Sequence, residues 1–598
     1  MSARGAAHTR AASTPIPTVI EPGARALLLA LAATLALRAL APLVPGRWLW
    51  GADLGRDLPP VAFWGAWALS ALALLPFVSR PLARLLPAGA RGTAVMGVAL
   101  ALVLGALAWH FPERLYFTGD TWLRKADFAG TTHPLAIVPQ AMPGDLALHW
   151  FVPRWLAEHA HRSPWSTEHA WGAGLAVIQG LLAWDFARRR GYRGAAALAA
   201  IAIAGWTASL ALFNGYAKAL VELAVLQLAA ASALHSARRG GSGAIAMGLI
   251  TAAAIVLHRM GVALLPAWAL AIAWTARREG GRGWREPAFL LGLVPPLAAL
   301  VFLAPRLAAT LGGFDLAHHV LPAGAPPSTV LARAFSPLRL LDVANLLLLL
   351  VPSLPLLAML PAARRHAPPA GDGAVFAALI VPQLALVLLL QPQHGLFRDW
   401  DVFAPLGASL ALWLAARTGD LITRAPRAAW LAIPTLLVAT VPATQWLAHQ
   451  SNLERGYSRA RDVLQGPPVR GAVDRATGFD QLSLVLLAHE QGARAAETCS
   501  LSLAASPSPR VYVQWGMAET FRGRYDAALE RYLAATRLRP DWAMAWKGVA
   551  AASSALGDVA HMQQAVTALR ALDPDGATTR DAAQWLEKNR PAPAAPTR

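Results

Sequence analysis

The feature that most constrains this chain is a series of apolar runs, each long enough to cross a bilayer as a helix. They recur through the first three quarters of the sequence. A spanning helix needs about 20 mostly apolar residues. Charged residues make up 15% of the 598 residues, whereas an average soluble protein has about a quarter. The sequence therefore predicts an all-α fold, a polytopic bundle of membrane helices.

We predict about thirteen spanning helices from the length and hydropathy of these runs. The predicted spans are 26–44, 60–78, 93–110, 166–186, 194–213, 217–235, 243–258, 261–276, 287–304, 340–361, 373–391, 402–416 and 428–447.

The arginines predict the orientation of the bundle. Alternate short loops contain arginine clusters, for example at 188–190, 238–239 and 277–278. Cytoplasmic loops are the ones enriched in basic residues. We therefore place the tail 1–24 in the cytoplasm of a bacterium and the transmembrane domain 25–447 in its inner (cytoplasmic) membrane. A long loop at 111–165 and the region 448–590 then lie in the periplasm. The net charge of +19 follows this topology, so we predict no nucleic-acid partner.

The region after 448 contains a sequence repeat. Pro540 and Pro574 are separated by 34 positions, and so are Gly523 and Gly557. This spacing resembles the tetratricopeptide repeat, a helix-turn-helix unit of 34 residues whose stacked copies form a concave binding surface. The resemblance implies a periplasmic helical domain that presents a protein or a glycan acceptor. The Pro/Ala-rich tail 591–598 is typical of disorder.

Several charged residues lie at the predicted outer membrane boundary. Asp120 follows a glycine in "GDTWLR", where it is a candidate catalytic base or, equally, a helix N-cap. The segment "HGLFRDWDVF" places His394, Arg398, Asp399 and Asp401 between two apolar runs. An arginine there can bind a lipid phosphate bidentately. The simpler interpretation is an interfacial turn with a local ion pair and an N-cap at Asp401.

Further polar residues are predicted at the same depth. Lys218 and Glu222 occur in "NGYAKALVEL", either as functional groups or as a plain i,i+4 salt bridge. His258 and Arg259 occur in "LHRMG", and His149 begins an amphipathic stretch, "HWFVPRWLAEHAH". We expect His149 to face water while the tryptophans of that stretch lie on the membrane. We find no spacing typical of a metal site, and the need for a divalent metal stays open.

Taken together, "GDTWLR", "LALHWFVPRWL", "FNGYAKALVEL", "LHRMGVALLP" and "FRDWDVFA" resemble the GT-C superfamily of membrane glycosyltransferases. The resemblance implies a polyprenyl-phosphate sugar as donor substrate in the outer leaflet, and an inverting transfer in which Asp120 is the catalytic base. The donor phosphate would contact Arg398, Arg259, Lys218 and His394, with Asp399, Asp401, Glu222, His258 and His149 in support.

Two other functions remain possible on the sequence alone. One is a non-catalytic membrane scaffold that presents its repeats to periplasmic partners, and the other is a transporter or lipid flippase. A transporter would place ionisable groups near the bilayer midplane, whereas these lie mostly at the predicted outer boundary. The enzyme hypothesis predicts that Asp120, Arg259 and Arg398 converge on one cavity, and the scaffold hypothesis does not.

Overall fold

The computed structural model describes residues 21–119, 121–126, 134–240, 242–321, 326, 328–359 and 371–589. Helices make up 81% of the structure, and no strand occurs in these ranges. The prediction of an all-α chain is therefore confirmed. The predicted tail 591–598 and most of the predicted tail 1–24 lie outside the described residues.

Nine helices within the described ranges are long and apolar enough to cross a membrane. This confirms a multi-pass membrane protein. The nine are Pro22–Leu43, Ala90–His110, Pro164–Arg189, Leu220–Ala237, Arg259–Ala276, Pro287–Val320, Asp372–Leu389, Trp400–Arg424 and Pro426–Gln450.

The remaining predicted spans are shorter or broken. Pro60–Leu72 and Pro76–Arg84 meet at a bend of 80°, and together they give a tenth candidate span. Proline lacks the N–H that would continue a helix, and Pro76 begins the second piece. Gly194–Gly205 and Ser242–Leu257 are apolar but only 12 and 16 residues long. Pro337–Leu350, with 14 residues, covers the predicted span at 340–361 in part.

Segments that the arginine pattern predicts on the outer side of the membrane meet at one end of the bundle. Four backbone hydrogen bonds show this, because each joins segments distant in sequence. They connect Glu113 to Asn214, Arg114 to Gln450, Gly119 to Arg398 and Gln391 to His319.

Segments predicted on the inner side meet at the opposite end. Arg190 forms ion pairs with Asp372 (2.8 Å) and Asp420 (3.0 Å), and Arg238 lies 3.4 Å from Asp372. These residues lie at or near the ends of four different long helices: Pro164–Arg189, Leu220–Ala237, Asp372–Leu389 and Trp400–Arg424. The outer and inner segments named here are thus grouped at two ends of the bundle.

Eight helices follow the last long apolar helix. They are Leu453–Gln465, Ala472–Ala488, Gly492–Ala505, Pro509–Phe521, Tyr525–Leu538, Ala543–Leu556, Val559–Leu572 and Ala577–Asn589. Each packs against the next along the chain. Gly523 and Gly557 follow two of these helices in the same left-handed conformation, with φ of +70° and +72°. Residues from 513 to 586 form a hydrophobic core of their own.

A buried ionic cluster joins these helices to the membrane bundle. Arg47, in the first predicted outer loop, pairs with Asp57 (2.6 Å) and Asp462 (2.9 Å). Arg459 pairs with Asp53 (2.9 Å) and Asp57. Burial opposes the charged form of Asp57, but Arg459 and Arg47 outweigh burial and hold the pKa of this carboxyl below its usual range. The loop at 45–59 is therefore fixed against helix Leu453–Gln465.

Candidate functional site

The segment "HGLFRDWDVF" contacts each of the three residues before Asp120, which read "FTG". Arg398 donates hydrogen bonds from its guanidinium to the carbonyl oxygens of Phe117 (3.2 Å) and Gly119 (3.1 Å). The indole of Trp400 donates to the hydroxyl of Thr118 (3.2 Å). Arg398 and Trp400 are buried. Two segments separated by almost 280 positions are therefore held together by side chains of the second.

Gly119 is required at this contact for two reasons. Its φ of +58° is a left-handed conformation that residues with a side chain rarely adopt. A Cβ there would also stand 2.7 Å from the hydroxyl of Tyr216 and 2.9 Å from a carboxylate oxygen of Asp401. The chain can approach the hydroxyl of Tyr216 and the carboxylate of Asp401 this closely only because position 119 has no side chain.

Asp401 is fully buried and accepts a hydrogen bond from the hydroxyl of Tyr216. The ammonium of Lys218 lies 3.9 Å from the same carboxylate oxygen. Asp401 is part of the short helix Trp400–Phe403, and Phe403 is the N-cap of the long helix that follows. The simpler interpretation, in which Asp401 is the N-cap, is therefore wrong.

A cavity of about 120 Å³ lies beside this contact. Five of the candidate site residues line it: Lys218, His258, Arg259, His394 and Asp399. They come from three segments of the chain, and Gly119 adds a fourth. Apolar side chains, among them Phe314 and Val402, complete the wall. The structure thus brings together groups that the sequence only placed at a common depth.

Arg259 is held in this cavity by a carboxylate that the sequence pattern did not indicate. Asp315 accepts two hydrogen bonds from the guanidinium, one of them from Nη2 at 2.8 Å. His319, one helical turn further along the chain, lies 3.8 Å from Asp315 and also lines the cavity. Both belong to the wide helical segment Ala308–Val320. A widened helix of this kind often occurs at a functional site, and the consecutive glycines Gly312 and Gly313 lie inside it.

His149 and Glu222 belong to a different cluster. His149 is buried, and its ring nitrogens lie 2.9 Å from Glu168 and 3.3 Å from Glu222. The indole of Trp171 donates a hydrogen bond to Glu222 (2.6 Å). The prediction that His149 faces water is therefore wrong. Its neighbour Trp150 is likewise buried, while Phe151 and Trp155 are exposed as expected.

The convergence of Asp120, Arg259 and Arg398 on one cavity, which the enzyme hypothesis predicts, stays a prediction. Arg259 lines the cavity. Arg398 lies behind the wall, where it also donates to the carbonyl of Thr477 (3.2 Å) and to the side chain of Gln481 (3.3 Å). Asp120, the candidate base, lies outside the described residues, although its neighbour Gly119 lines the cavity.

The charges of the cavity nearly balance. Lys218 and Arg259 are its cations, and Asp315 and Asp399 are its anions, with Asp401 just behind Lys218. A phosphate entering the cavity would compete with these carboxylates for the two cations. Among the described residues, no group of three histidine, cysteine or acidic side chains is arranged to hold a metal ion.

Comparison with known proteins adds no family. No protein-family model matches this sequence, and no curated protein matches it either. The function is therefore inferred from the geometry of the site.

Proposed function

We propose that this protein is a membrane glycosyltransferase that moves a sugar from a polyprenyl phosphate to an extracytoplasmic acceptor. One observation carries the proposal: Lys218, Arg259, His258, His394 and Asp399 line one cavity beside the segment that leads into Asp120. A lipid-linked phosphate needs cations and hydrogen-bond donors at the membrane boundary, and a sugar needs acids and histidines close to them.

In the proposed reaction, the carboxylate of Asp120 accepts the proton of an acceptor hydroxyl. The hydroxyl oxygen then forms a bond to the anomeric carbon, and the bond from that carbon to the phosphate oxygen breaks. Polyprenyl phosphate leaves with the electron pair, and Lys218 and Arg259 stabilise its charge. Attack opposite the leaving group inverts the anomeric carbon.

We assign Arg398 to positioning. Its guanidinium is buried and donates to two carbonyls of the segment that precedes Asp120. Arg398 would thus set the position of the base, while Lys218 and Arg259 hold the phosphate.

We further propose thirteen membrane crossings, with the N-terminus in the cytoplasm and the helices after 448 in the periplasm. The sorting of loops between the two ends of the bundle supports this count, because omission of any one crossing would reverse every later loop. We propose that the C-terminal helices are tetratricopeptide repeats that hold the acceptor. The matching left-handed glycines 34 positions apart support this assignment.

The test is a transfer assay with the full-length protein in proteoliposomes, supplied with polyprenyl-phosphate sugars. Asp120→Asn should lower the rate by about 10²–10⁴-fold, the usual contribution of a general base. Lys218→Met should raise the KM for the donor. Glu21→Gln, at an exposed acid that does not line the cavity, is the matched control. Full activity of a folded Asp120→Asn protein would exclude Asp120 as the base.

One observation favours a second candidate, the non-catalytic scaffold. Arg259 already has a bidentate carboxylate partner, and Lys218 has Asp401 nearby. In a scaffold these pairs would only stabilise the outer end of the bundle. A protein that transfers no sugar from any polyprenyl phosphate, yet retains periplasmic partners through helices 472–589, would support the scaffold.

A further inference from the structure

A second, larger cavity lies away from the proposed transfer site. Its volume is about 590 Å³, and it lies between the surface helix Val152–Ala160 and the first turns of the long helix Pro164–Arg189. Leu148, Val152 and Leu156 form one side, and the rings of Trp109 and Trp171 form the other. Walls of this kind suit a hydrocarbon chain.

The cavity also contains a buried carboxylate with an unused acceptor. Glu168 lines the cavity and is 2% exposed. Its Oε2 atom lies 2.9 Å from Nδ1 of His149. Its Oε1 atom is buried and has no hydrogen-bond partner among the described residues. A buried carboxylate oxygen without a donor costs free energy, so a ligand that supplies a donor would be stabilised there.

The charge around Glu168 favours a cation. His149 lies between Glu168 and Glu222. Burial alone would lower the pKa of His149, but the two carboxylates outweigh burial and raise the pKa well above its ordinary value. Two carboxylates share the one imidazole between them, so a positively charged donor suits Oε1 of Glu168 better than a neutral donor.

The rim of the same cavity has the opposite charge. Arg162 lines the cavity and is exposed at the turn between the two helices, and the hydroxyl-bearing residues Ser166 and Thr167 lie beside it. The hydroxyls of Ser166 and Thr167 donate to the carbonyl of Ser163, so the guanidinium of Arg162 is what can bind a phosphate at this rim. The cavity thus has a carboxylate inside, a guanidinium at the rim and apolar walls beside both.

We propose that this cavity binds a phospholipid with a primary ammonium in its headgroup. The ammonium donates to the carboxylate of Glu168 once this side chain turns its Oε1 atom, which is buried in this structure, toward the cavity. The phosphate contacts Arg162, and an acyl chain packs against Leu148, Val152 and Leu156. The bilayer is the source of the ligand, because the adjoining helix exposes Phe151 and Trp155, as a helix at the lipid surface does. This site does not depend on the proposed transferase activity.

The test compares three lipids with identical acyl chains and ethanolamine, choline or glycerol headgroups. Binding to the full-length protein in detergent is measured by native mass spectrometry. The ethanolamine lipid should bind about tenfold more tightly than the choline lipid, since a trimethylammonium group cannot donate an N–H bond to Glu168. Equal binding of these two lipids, or preference for the anionic glycerol lipid, would overturn the proposal.

Two variants locate the site. Glu168→Gln keeps the shape of the side chain but removes its charge. The ethanolamine lipid should then bind this variant no more tightly than the choline lipid does. Leu156→Trp fills the cavity without touching the polar cluster, so it tests the site even if Glu168→Gln does not fold. It should abolish the preference, and Arg154→Ala, on the same helix but outside the cavity, should retain it. A preference unchanged in Leu156→Trp would overturn the proposal.

Discussion

Gly119 lies against the carboxylate of Asp401, with room for a hydrogen but not for a methyl group. A Cβ on Gly119 would be 2.9 Å from Oδ2 of Asp401. This contact joins the segment that leads into Asp120 to the segment that opens the long helix Trp400–Arg424. The proposed base and the cation-bearing cavity therefore depend on one close approach between distant parts of the chain.

The variant Gly119→Ala tests that approach. We expect it to lose most transfer activity, because both the methyl group and the left-handed backbone oppose the native geometry. Gly191→Ala is the matched control, since Gly191 has a similar positive φ of +76° and no atom lies within 4 Å of the place that a Cβ would take there. Both variants should lose about 1 kcal/mol of stability from backbone strain, and only Gly119→Ala should lose activity. Equal activity in the two variants would show that the close contact is unimportant.

The variant Arg398→Lys separates two roles for this residue. Arg398 donates to three carbonyls and one amide oxygen in two segments, and a lysine cannot reproduce that fork of donors. If Arg398 positions the segment before Asp120, kcat should fall while the KM for the donor changes little. A rise in donor KM at constant kcat would instead support the sequence prediction that Arg398 binds the phosphate. Steady-state kinetics at varied donor concentration distinguishes the two outcomes.

The buried ionic cluster predicts unequal effects for two arginines of one helix. Arg459 is buried against Asp53 and Asp57, whereas Arg461 is 39% exposed and faces the exposed Glu497. Removal of one partner from a buried pair leaves an uncompensated charge, so Arg459→Met should cost about 3–5 kcal/mol. Arg461→Met should cost less than about 1 kcal/mol. Chemical unfolding in detergent measures both, and similar losses would contradict the assigned burial.

His149 predicts a dependence of stability on pH. Its pKa is raised in the folded protein by Glu168 and Glu222, against the effect of burial. The resulting stabilisation is fully present below the unfolded pKa of about 6.5 and is lost as the pH rises through the folded pKa. The midpoint temperature of thermal unfolding should therefore fall as the pH rises above about 6.5. His149→Gln should reduce this slope, and His110→Gln, at an exposed histidine, should not. An unchanged slope in His149→Gln would exclude the cluster as its source.

Much of the fold could be predicted from the sequence because a bilayer imposes a length on each apolar run. The arginine clusters predicted which segments lie on the same side of the membrane, and the segments around Arg190, Arg238 and Asp372 do meet at one end of the bundle. The breaks were harder to predict. Gly194–Gly205 ends well before the predicted end at 213, and the chain then forms the short helix Ala208–Leu212. Buried neighbours surround this irregular backbone and can meet its hydrogen-bonding needs. A hydropathy pattern does not reveal those neighbours.

The site was predictable in part. Lys218, Arg259 and Asp399 were identified as candidates because charges beside apolar runs are conspicuous. The residues that contact them were not identified from the sequence. Asp315 and His319 lie in a loop predicted outside the spans, and Tyr216 carries no charge to attract notice. Which carboxylate meets which cation depends on packing between distant helices, and helical periodicity does not encode that pairing.

The proposed function is tested most directly by finding on which side of the membrane each end of the bundle lies. Cys499 is buried, and burial raises its pKa to about 12, so its replacement by alanine gives an unlabelled background. Single cysteines are then introduced at the exposed positions Gln393, Ser554 and Ser242. In spheroplasts, a membrane-impermeant maleimide should label the cysteines at 393 and 554 at once and the cysteine at 242 only after the membrane is permeabilised. Labelling of 242 alone before permeabilisation would place the cavity in the cytoplasm and contradict the proposed transfer from an outer-leaflet donor.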